Sequence, residues 1–350
     1  MMIDGLVVAP EDPITHVLER VGAGGAGLAV VVAGDGNVLG TVTDGDLRRA
    51  ALAGPGLEAA AAKAVELMSL EPATVGIDAS DDEVRTLLER RHLPSVAIVD
   101  KGRLVGLRHL ADVGGSRPPL TAVILAGGRG QRLRPLTDKV PKPLLTVGRT
   151  TILERLLEQL WSAGVSDVAL AVNYKAELFE ERLGDGEGYG VRLTYLKERK
   201  ELGTAGALSL LSAPPVGPVL VTMADQVTAL PFARLVDFHN QEGAAITVAA
   251  FEHEIPVPYG VLRLDGRRVT GIDEKPTLRQ RCNAGIFVLD PTVLALVPED
   301  TMFGMPSLVE AALAQGLPVS AFPILERWID VGTPDALEAA LLSFATGEEM

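Results

Sequence analysis

Five cations, Arg129, Arg132, Arg134, Lys139 and Lys142, crowd one short stretch of a chain that is otherwise acidic. They follow an apolar run, Thr121-Ala-Val-Ile-Leu-Ala126, which reads as a buried strand, and a turn carrying Gly127, Gly128 and Gly130. Glycines let the backbone approach a bound group, and a strand that opens into such a turn with cations behind it suits a polyphosphate. Pro141 and Pro143 flank Lys142 and restrict the backbone on both sides, so its ammonium is offered at a defined place. The run has no Gly-Lys-Ser/Thr ending and is not a P-loop, nor does it fit the dinucleotide fingerprint. A tight structural turn is the alternative reading of the glycines alone.

Two acidic residues carry the complementary signal. Asp225 closes the apolar strand Val219-Leu-Val-Thr-Met223, and Asp330 sits inside the apolar run Trp328-Ile-Asp-Val331. An unpaired carboxylate in such surroundings is costly. A cation between the two would remove the cost, which makes both candidate metal ligands; a turn cap is the alternative for each.

The elements needed to position these groups follow from the rest of the chain. It has 350 residues, is 47% hydrophobic and 22% charged, and so has enough apolar material for two or three cored domains. The net charge of −14 argues against a nucleic-acid or anionic-membrane partner. Cys282 is the one cysteine, so an internal disulfide is excluded. With no basic leader, no signal peptide and no apolar run of membrane-spanning length, a soluble cytoplasmic protein is expected.

Gly, Ser and Pro punctuate 113–119, which reads as a linker between an N-terminal part (1–115) and a C-terminal part (120–350). The N-terminal part carries a weak duplication, about 1–58 and 59–115. Each copy shows a helix (Ile14–Val21; Asp81–Arg91), a strand (Leu28–Ala33; Ser95–Asp100), a Gly-containing turn and a second strand (Val38–Val42; Arg103–Leu107). A helix start follows each, at Thr43–Arg49 and at His109–Asp112. The C-terminal part alternates strands (120–125, 167–172, 191–196, 218–223) with helices (151–163, 175–183, 204–211) and ends in a helix at 335–344. This predicts an α/β fold with a Rossmann-like, mostly parallel mixed sheet, preceded by an α+β pair. Ligands in such sheets sit beyond the carboxyl ends of the strands, so Gly127 and Asp225 are expected to face one crevice.

The run Leu125–Leu145 resembles the signature of the sugar-1-phosphate nucleotidylyltransferases, Gly-Gly-x-Gly-x-Arg-Leu-x-Pro-Leu-Thr followed by Pro-Lys-Pro-Leu. Glu201-Leu-Gly-Thr-Ala-Gly206, Pro258-Tyr-Gly-Val261, Asp273-Glu-Lys-Pro276, Asn283-Ala-Gly-Ile286 and Trp328–Thr333 resemble further family elements in the family's order. The resemblance implies a nucleotide-diphospho-sugar transferase fold over 120–345. It implies in-line attack of a sugar 1-phosphate on the α-phosphorus of a nucleoside triphosphate, with pyrophosphate leaving and Mg2+ assisting.

By resemblance, Arg132 holds the β- and γ-phosphates, Lys142 meets the α-phosphate, and Asp225 and Asp330 bind the metal; Arg132, Lys142 and Asp225 are the catalytic set. Leu125, Ala126, Gly127, Gly128 and Gly130 form the nucleotide loop. Gly203, Tyr259, Gly260, Glu274, Lys275 and Asn283 form the sugar-phosphate site. Gln131 departs from the commoner Thr at a variable position. The Glu201–Gly206 loop and Leu170–Tyr174 are most like the mannose-1-phosphate guanylyltransferase branch, which makes GTP the first expected donor.

Gly40-Thr-Val-Thr-Asp-Gly-Asp46 resembles the Gly-x-x-Thr-x-x-Asp pattern of the cystathionine-β-synthase (CBS) domain, which implies adenine nucleotide binding at Thr43 and Asp46. Capping of a helix is the alternative. The second repeat departs, with His109 at the Thr position and only Gly106 and Asp112 fitting. A homo-oligomer is expected. No β-helix repeat follows the last helix, so a second, acyltransferase activity is not expected. Two other readings share these motifs: an inactive transferase fold that senses nucleotides, and a transferase using UTP, dTTP or CTP with another phosphate acceptor.

Overall fold

A computed structural model describes residues 3–22, 25–53, 62–115 and 119–345. The expected repeat boundary near 58 and part of the expected linker, 116–118, lie outside the described residues.

Seven strands form the central sheet. Their spatial order is Arg192–Lys197, Asp167–Val172, Thr121–Leu125, Val219–Met223, Thr277–Leu289, Ile246–Pro256, Val319–Pro323. The first four run parallel, Thr277–Leu289 is antiparallel to both neighbours, and Val319–Pro323 lies parallel to Ile246–Pro256. The sheet is therefore mixed and parallel-dominated, with helices on both faces.

Strand Thr121–Leu125 shows why. Its side chains alternate between two cores. Ala122 and Ile124 join Leu153, Leu157 and Phe179 on one face, while Val123 and Leu125 join Leu208, Phe287 and Leu308 on the other. A strand buried on both faces needs a continuous apolar run rather than alternation. Helix Ile152–Ser162 covers the first face. Thr151 caps it: its hydroxyl accepts from the Glu154 amide while Glu154 accepts from the Thr151 amide, a reciprocal capping box.

The helix expected over 204–211 is instead one α-turn, Gly203–Gly206, followed by a 3-10 turn, Ala207–Leu210. The amides of Ala205 and Gly206 both donate to the Phe303 carbonyl, which draws the first turn away from a continuous helix.

The two N-terminal repeats share one topology. A short strand lies parallel to a central strand, which pairs antiparallel with the next (Val7–Val8, Leu28–Val32, Val38–Thr43; Thr74–Gly76, Ser95–Asp100, Arg103–His109). Even the irregularity repeats, at Val31/Val32 in one copy and Ile98/Val99 in the other. Leu28, Val30 and Ala97 pack the two repeats together. The helix expected to start at His109 is only a 3-10 turn, Ala111–Val113. Gly114 takes a φ of 69° and the Gly115 amide returns to the Leu110 carbonyl, which ends it.

Candidate active site

The glycine turn, Lys142 and Asp225 meet in a cavity of about 270 Å3 beyond the carboxyl ends of Thr121–Leu125 and Val219–Met223. Leu125, Ala126, Gly128, Gly130, Arg132 and Asp225 all line it. Gly130 takes a φ of 58°, which favours glycine. A Cβ there would lie 3.1 Å from Lys142 Cβ and 3.0 Å from Thr137 Cγ2, so the turn packs directly on the lysine stem. Thr137 donates to the Gly130 carbonyl at 2.8 Å and holds the turn in place.

Lys142 opens a 3-10 turn, Lys142–Leu144, fixed by the flanking prolines. The residue is only 5% exposed. A buried ammonium must be paired, and it is: Nζ lies 2.5 Å from Asp225 Oδ2 and 3.6 Å from Asp330 Oδ1. The two aspartates, far apart in sequence, meet because Gln226–Thr228 pairs antiparallel with Trp328–Asp330, placing Gln226 opposite Asp330. The Val331 amide adds a bond to the Asp225 carbonyl at 3.1 Å. Arg132 joins the same group. A Cβ on Gly332 would lie 2.8 Å from Arg132 Nη2 and 3.0 Å from Asp330 Oδ2, so the backbone there leaves room for the guanidinium beside the carboxylate.

Arg132, Lys142, Asp225 and Asp330 therefore form one cluster. No group of three or more His, Cys, Asp or Glu side chains with metal-site geometry occurs among the described residues. Two carboxylates suit magnesium, which keeps waters and takes the rest of its ligands from substrate phosphates. The aspartates are more open to solvent than the lysine, so their carboxylate oxygens, with the Arg132 guanidinium beside them, are the accessible part of the cluster.

The expected sugar-phosphate residues are arranged differently. Tyr259 and Gly260 lead into, and Glu274 and Lys275 follow, a two-stranded arm (Val261–Asp265 paired with Arg268–Asp273), outside the lining of this cavity, with Tyr259 73% exposed. Glu274 sits against Gly260, where a Cβ would lie 2.9 Å from its Oε2. Asn283 lies on Thr277–Leu289, the strand paired with Val219–Met223. Its Oδ1 accepts from the Gly285 amide at 2.8 Å, and Gly285 packs on Met223 and Gln226. Gly203 takes a φ of 76° and abuts the Phe303 backbone, a close approach only glycine permits.

One residue escaped the sequence reading. A Cβ on Gly127 would lie 3.0 Å from Glu198 Oε1, so this carboxylate hangs over the glycine turn. Its other oxygen accepts from the Leu202 amide at 3.0 Å. Burial raises its pKa. The sequence signal was faint: a single Glu between Lys197 and Arg199, just past a strand.

In the N-terminal repeats, Thr43 and Asp46 form a reciprocal cap on helix Asp44–Ala53. Asp46 Oδ2 accepts from the Thr43 amide at 2.8 Å and hydroxyl at 2.7 Å. Both residues also line a second cavity. In the second repeat the His109 amide bonds Asp112 at 3.3 Å, so the backbone half of the cap survives without the hydroxyl. No helix among the described residues is long and apolar enough to cross a membrane.

Comparison with known proteins adds independent information. The family model described as nucleotidyl transferase matches residues 121–346, and that of the CBS domain matches 1–53 and 63–113. The mannose-1-phosphate guanyltransferase of Yarrowia lipolytica is 36% identical over 61% of this chain and 61% of its own length. That of Saccharomyces cerevisiae is 37% identical over 64% of each. The chain thus spans less than two thirds of the length of these curated relatives. Among solved structures, a Bacillus anthracis protein crystallised with sucrose aligns at a TM-score of 0.54 and 24% identity, over 66% of this chain and 96% of that one. This likeness concerns the fold.

Proposed function

The chain belongs to the nucleotidyl transferase family, and on that premise we propose that it transfers a nucleotidyl group from a nucleoside triphosphate to a sugar 1-phosphate. The observation that carries this reading is the cluster of Lys142, Asp225, Asp330 and Arg132 at the mouth of the glycine turn. An oxygen of the sugar phosphate bonds to the α-phosphorus, the bond from that phosphorus to the bridging oxygen breaks, and the electron pair leaves with pyrophosphate. Such a step needs positive charge and positioning rather than a covalent nucleophile.

Lys142 supplies a preorganised ammonium, held by two carboxylates before substrate arrives. Arg132, just past the glycine turn, would meet the terminal phosphates. Asp225 and Asp330 would hold Mg2+, which when bound neutralises charge on the phosphates. The arm bearing Tyr259, Glu274 and Lys275, with Asn283 and Gly203, is proposed to receive the sugar phosphate.

Guanine is the proposed base, with Glu198 as its supporting residue. Its N1–H and N2 amino group present adjacent donors, and the Glu198 carboxylate above Gly127 is an acceptor matched to that edge. A mannose 1-phosphate acceptor is the corresponding first choice, supported by the guanyltransferase relatives. Cytoplasmic location and adenine nucleotide binding at Thr43 and Asp46 complete the proposal. The test is pyrophosphate release from Mg2+, each triphosphate and a panel of sugar 1-phosphates. GTP with mannose 1-phosphate should give the fastest release, and Glu198→Gln should lower kcat/KM for GTP about tenfold or more while sparing other bases. No release above background with any pair would sink the reading.

A further inference from the structure

Four charged side chains alternate in sign across the contact between the first N-terminal repeat and the transferase domain. Arg234 Nη1 lies 3.2 Å from Asp44 Oδ1, Arg48 Nη2 lies 3.2 Å from the same oxygen, and Arg48 Nη2 lies 2.6 Å from Glu326 Oε1. Asp44 and Arg48 belong to the repeat and are buried, Arg48 completely. Arg234 and Glu326 belong to the transferase domain. The Arg48 guanidinium forms a fork on Glu326, with Nη1 3.0 Å from Oε2. It also lies 4.3 Å over the Phe322 ring and donates to the Pro323 carbonyl at 2.8 Å.

Burying such a ladder takes four charges out of water, and packed apolar side chains often seal a contact at least as well. What the fork adds is direction. A planar guanidinium bound through two nitrogens fixes the carboxylate it holds, and with it the backbone that bears the carboxylate.

That backbone leads to Asp330. The Ile324 amide donates to the Ala250 carbonyl at 2.7 Å, and the Leu325 amide donates to Glu326 Oε2 at 3.2 Å. The Arg327 carbonyl accepts from the Ala229 amide at 2.9 Å. Trp328 stacks on Phe251 with ring centres 4.4 Å apart, and Trp328–Asp330 pairs with Gln226–Thr228. Between the bonds at Ile324 and Arg327, Glu326 anchors the turn to Arg48. The N-terminal domain thus grips a segment that ends on a carboxylate of the candidate active site.

We propose that Arg48 is a positioning residue for nucleotidyl transfer: it fixes the 323–327 turn, and so sets where Asp330 stands beside Lys142 and Asp225. The effect on turnover rests on the transferase reading; the effect on the segment does not. Neither requires a ligand in the cleft between the repeats, a space of about 460 Å3 lined in part by Thr43, Arg49, Arg90 and Arg91.

The test uses the full chain at a temperature where each variant is folded by circular dichroism. Glu326→Gln keeps the side chain's shape and breaks the fork. Arg48→Lys keeps the charge and loses the fork, and Glu326→Gln alone suffices should Arg48→Lys not fold. Two controls bracket them. Val84→Ala opens the core of the second repeat, and Gln241→Ala removes a different contact between the domains, a 2.9 Å bond to the His92 carbonyl. Hydrogen exchange in Glu326→Gln should be about tenfold faster over 328–331 and unchanged over Thr121–Leu125. The Mg2+ concentration for half-maximal pyrophosphate release should rise about tenfold, with KM for GTP at saturating Mg2+ nearly unchanged. Both controls should match the wild type in these two readouts. Wild-type exchange over 328–331 in Glu326→Gln, or an unchanged Mg2+ requirement beside normal turnover, would overturn the proposal. Equal shifts in Val84→Ala would do the same, because they would trace to lost stability alone. A wild type that releases no pyrophosphate would instead strike the transferase reading, and the exchange comparison would still decide whether Arg48 sets the segment.

Discussion

The transferase cavity and the inter-repeat cleft both gather cations, but they hold them differently. In the cavity, Lys142 is buried and pinned between Asp225 and Asp330, and the glycine turn packs on its stem. In the cleft, Arg90 and Arg91 are exposed and have no ion pair among the described residues, and Arg49 is partly exposed and shared between carboxylates of two domains. The first arrangement costs no rearrangement when charge develops, as a site of chemistry requires. The second leaves its cations open to solvent and spreads Arg49 over a contact between two domains. Burial and pairing, rather than the number of positive charges, separate the two.

The comparison breaks first at Asp225. Asp225→Asn should lower turnover at least about a hundredfold and lower Tm only modestly: the buried Lys142 loses its nearest charge, but the amide oxygen can still accept from it and the strand pairing behind is untouched. Near-normal pyrophosphate release in that variant would deny the cavity its role. Gly130→Ala comes next: the positive φ and the 3.1 Å approach to Lys142 Cβ should displace the ammonium and cost about tenfold or more in kcat. Unchanged kcat would show that Lys142 need not be fixed from that side.

Smaller effects probe the seam between the domains and their cores. Glu326→Ala leaves the buried Arg48 with only Asp44 as its carboxylate, and should destabilise the chain by about 3 kcal/mol, read as a lower Tm. A Tm within a degree of the wild type would show that Asp44 suffices.

The smallest effect is pH-dependent. Burial pushes the His239 pKa down to about 4, and its ring pairs with Thr247 at 2.9 Å. The folded state therefore binds fewer protons than the unfolded state as pH falls from 6.5 towards 4, and stability declines across that window. Glu154 adds a lower window. Burial would raise its pKa, but bonds from Arg182, the Thr151 amide and Tyr189 hold it at about 2. Its contribution is present above 4.5 and lost as pH falls through 2. His239→Gln should flatten the upper part of the Tm–pH curve and leave the lower part in place. A curve parallel to the wild type between pH 6.5 and 4 would refute that origin.

Much was legible in the chain itself. The apolar run Thr121–Leu125 announced a strand buried on both faces, because such a strand has no polar side to show. The helix over 151–163 was legible from apolar residues at helical spacing, which is also a local property. The duplication was visible for the same reason: each repeat makes its own short-range hairpin. Gly127, Gly130, Lys142, Asp225 and Asp330 were legible as chemistry because glycine freedom, cation clustering and a carboxylate in apolar surroundings are properties of residue type and neighbours.

Other features were not local and could not be read that way. The 204–211 segment breaks because two amides turn to the distant Phe303 carbonyl. Asp225 meets Asp330 only through pairing of Gln226–Thr228 with Trp328–Asp330. Glu198 gained meaning only when the fold hung it over Gly127. The seam between the domains, where Arg48 disappears against Phe322 and Arg49 reaches Glu242, joins residues with no sequence relation. Sequence set the periodicities, turns and charges that act over a few residues. Tertiary structure decided which charges are buried, which are paired and which stay open to a ligand, because those depend on desolvation and distance in space.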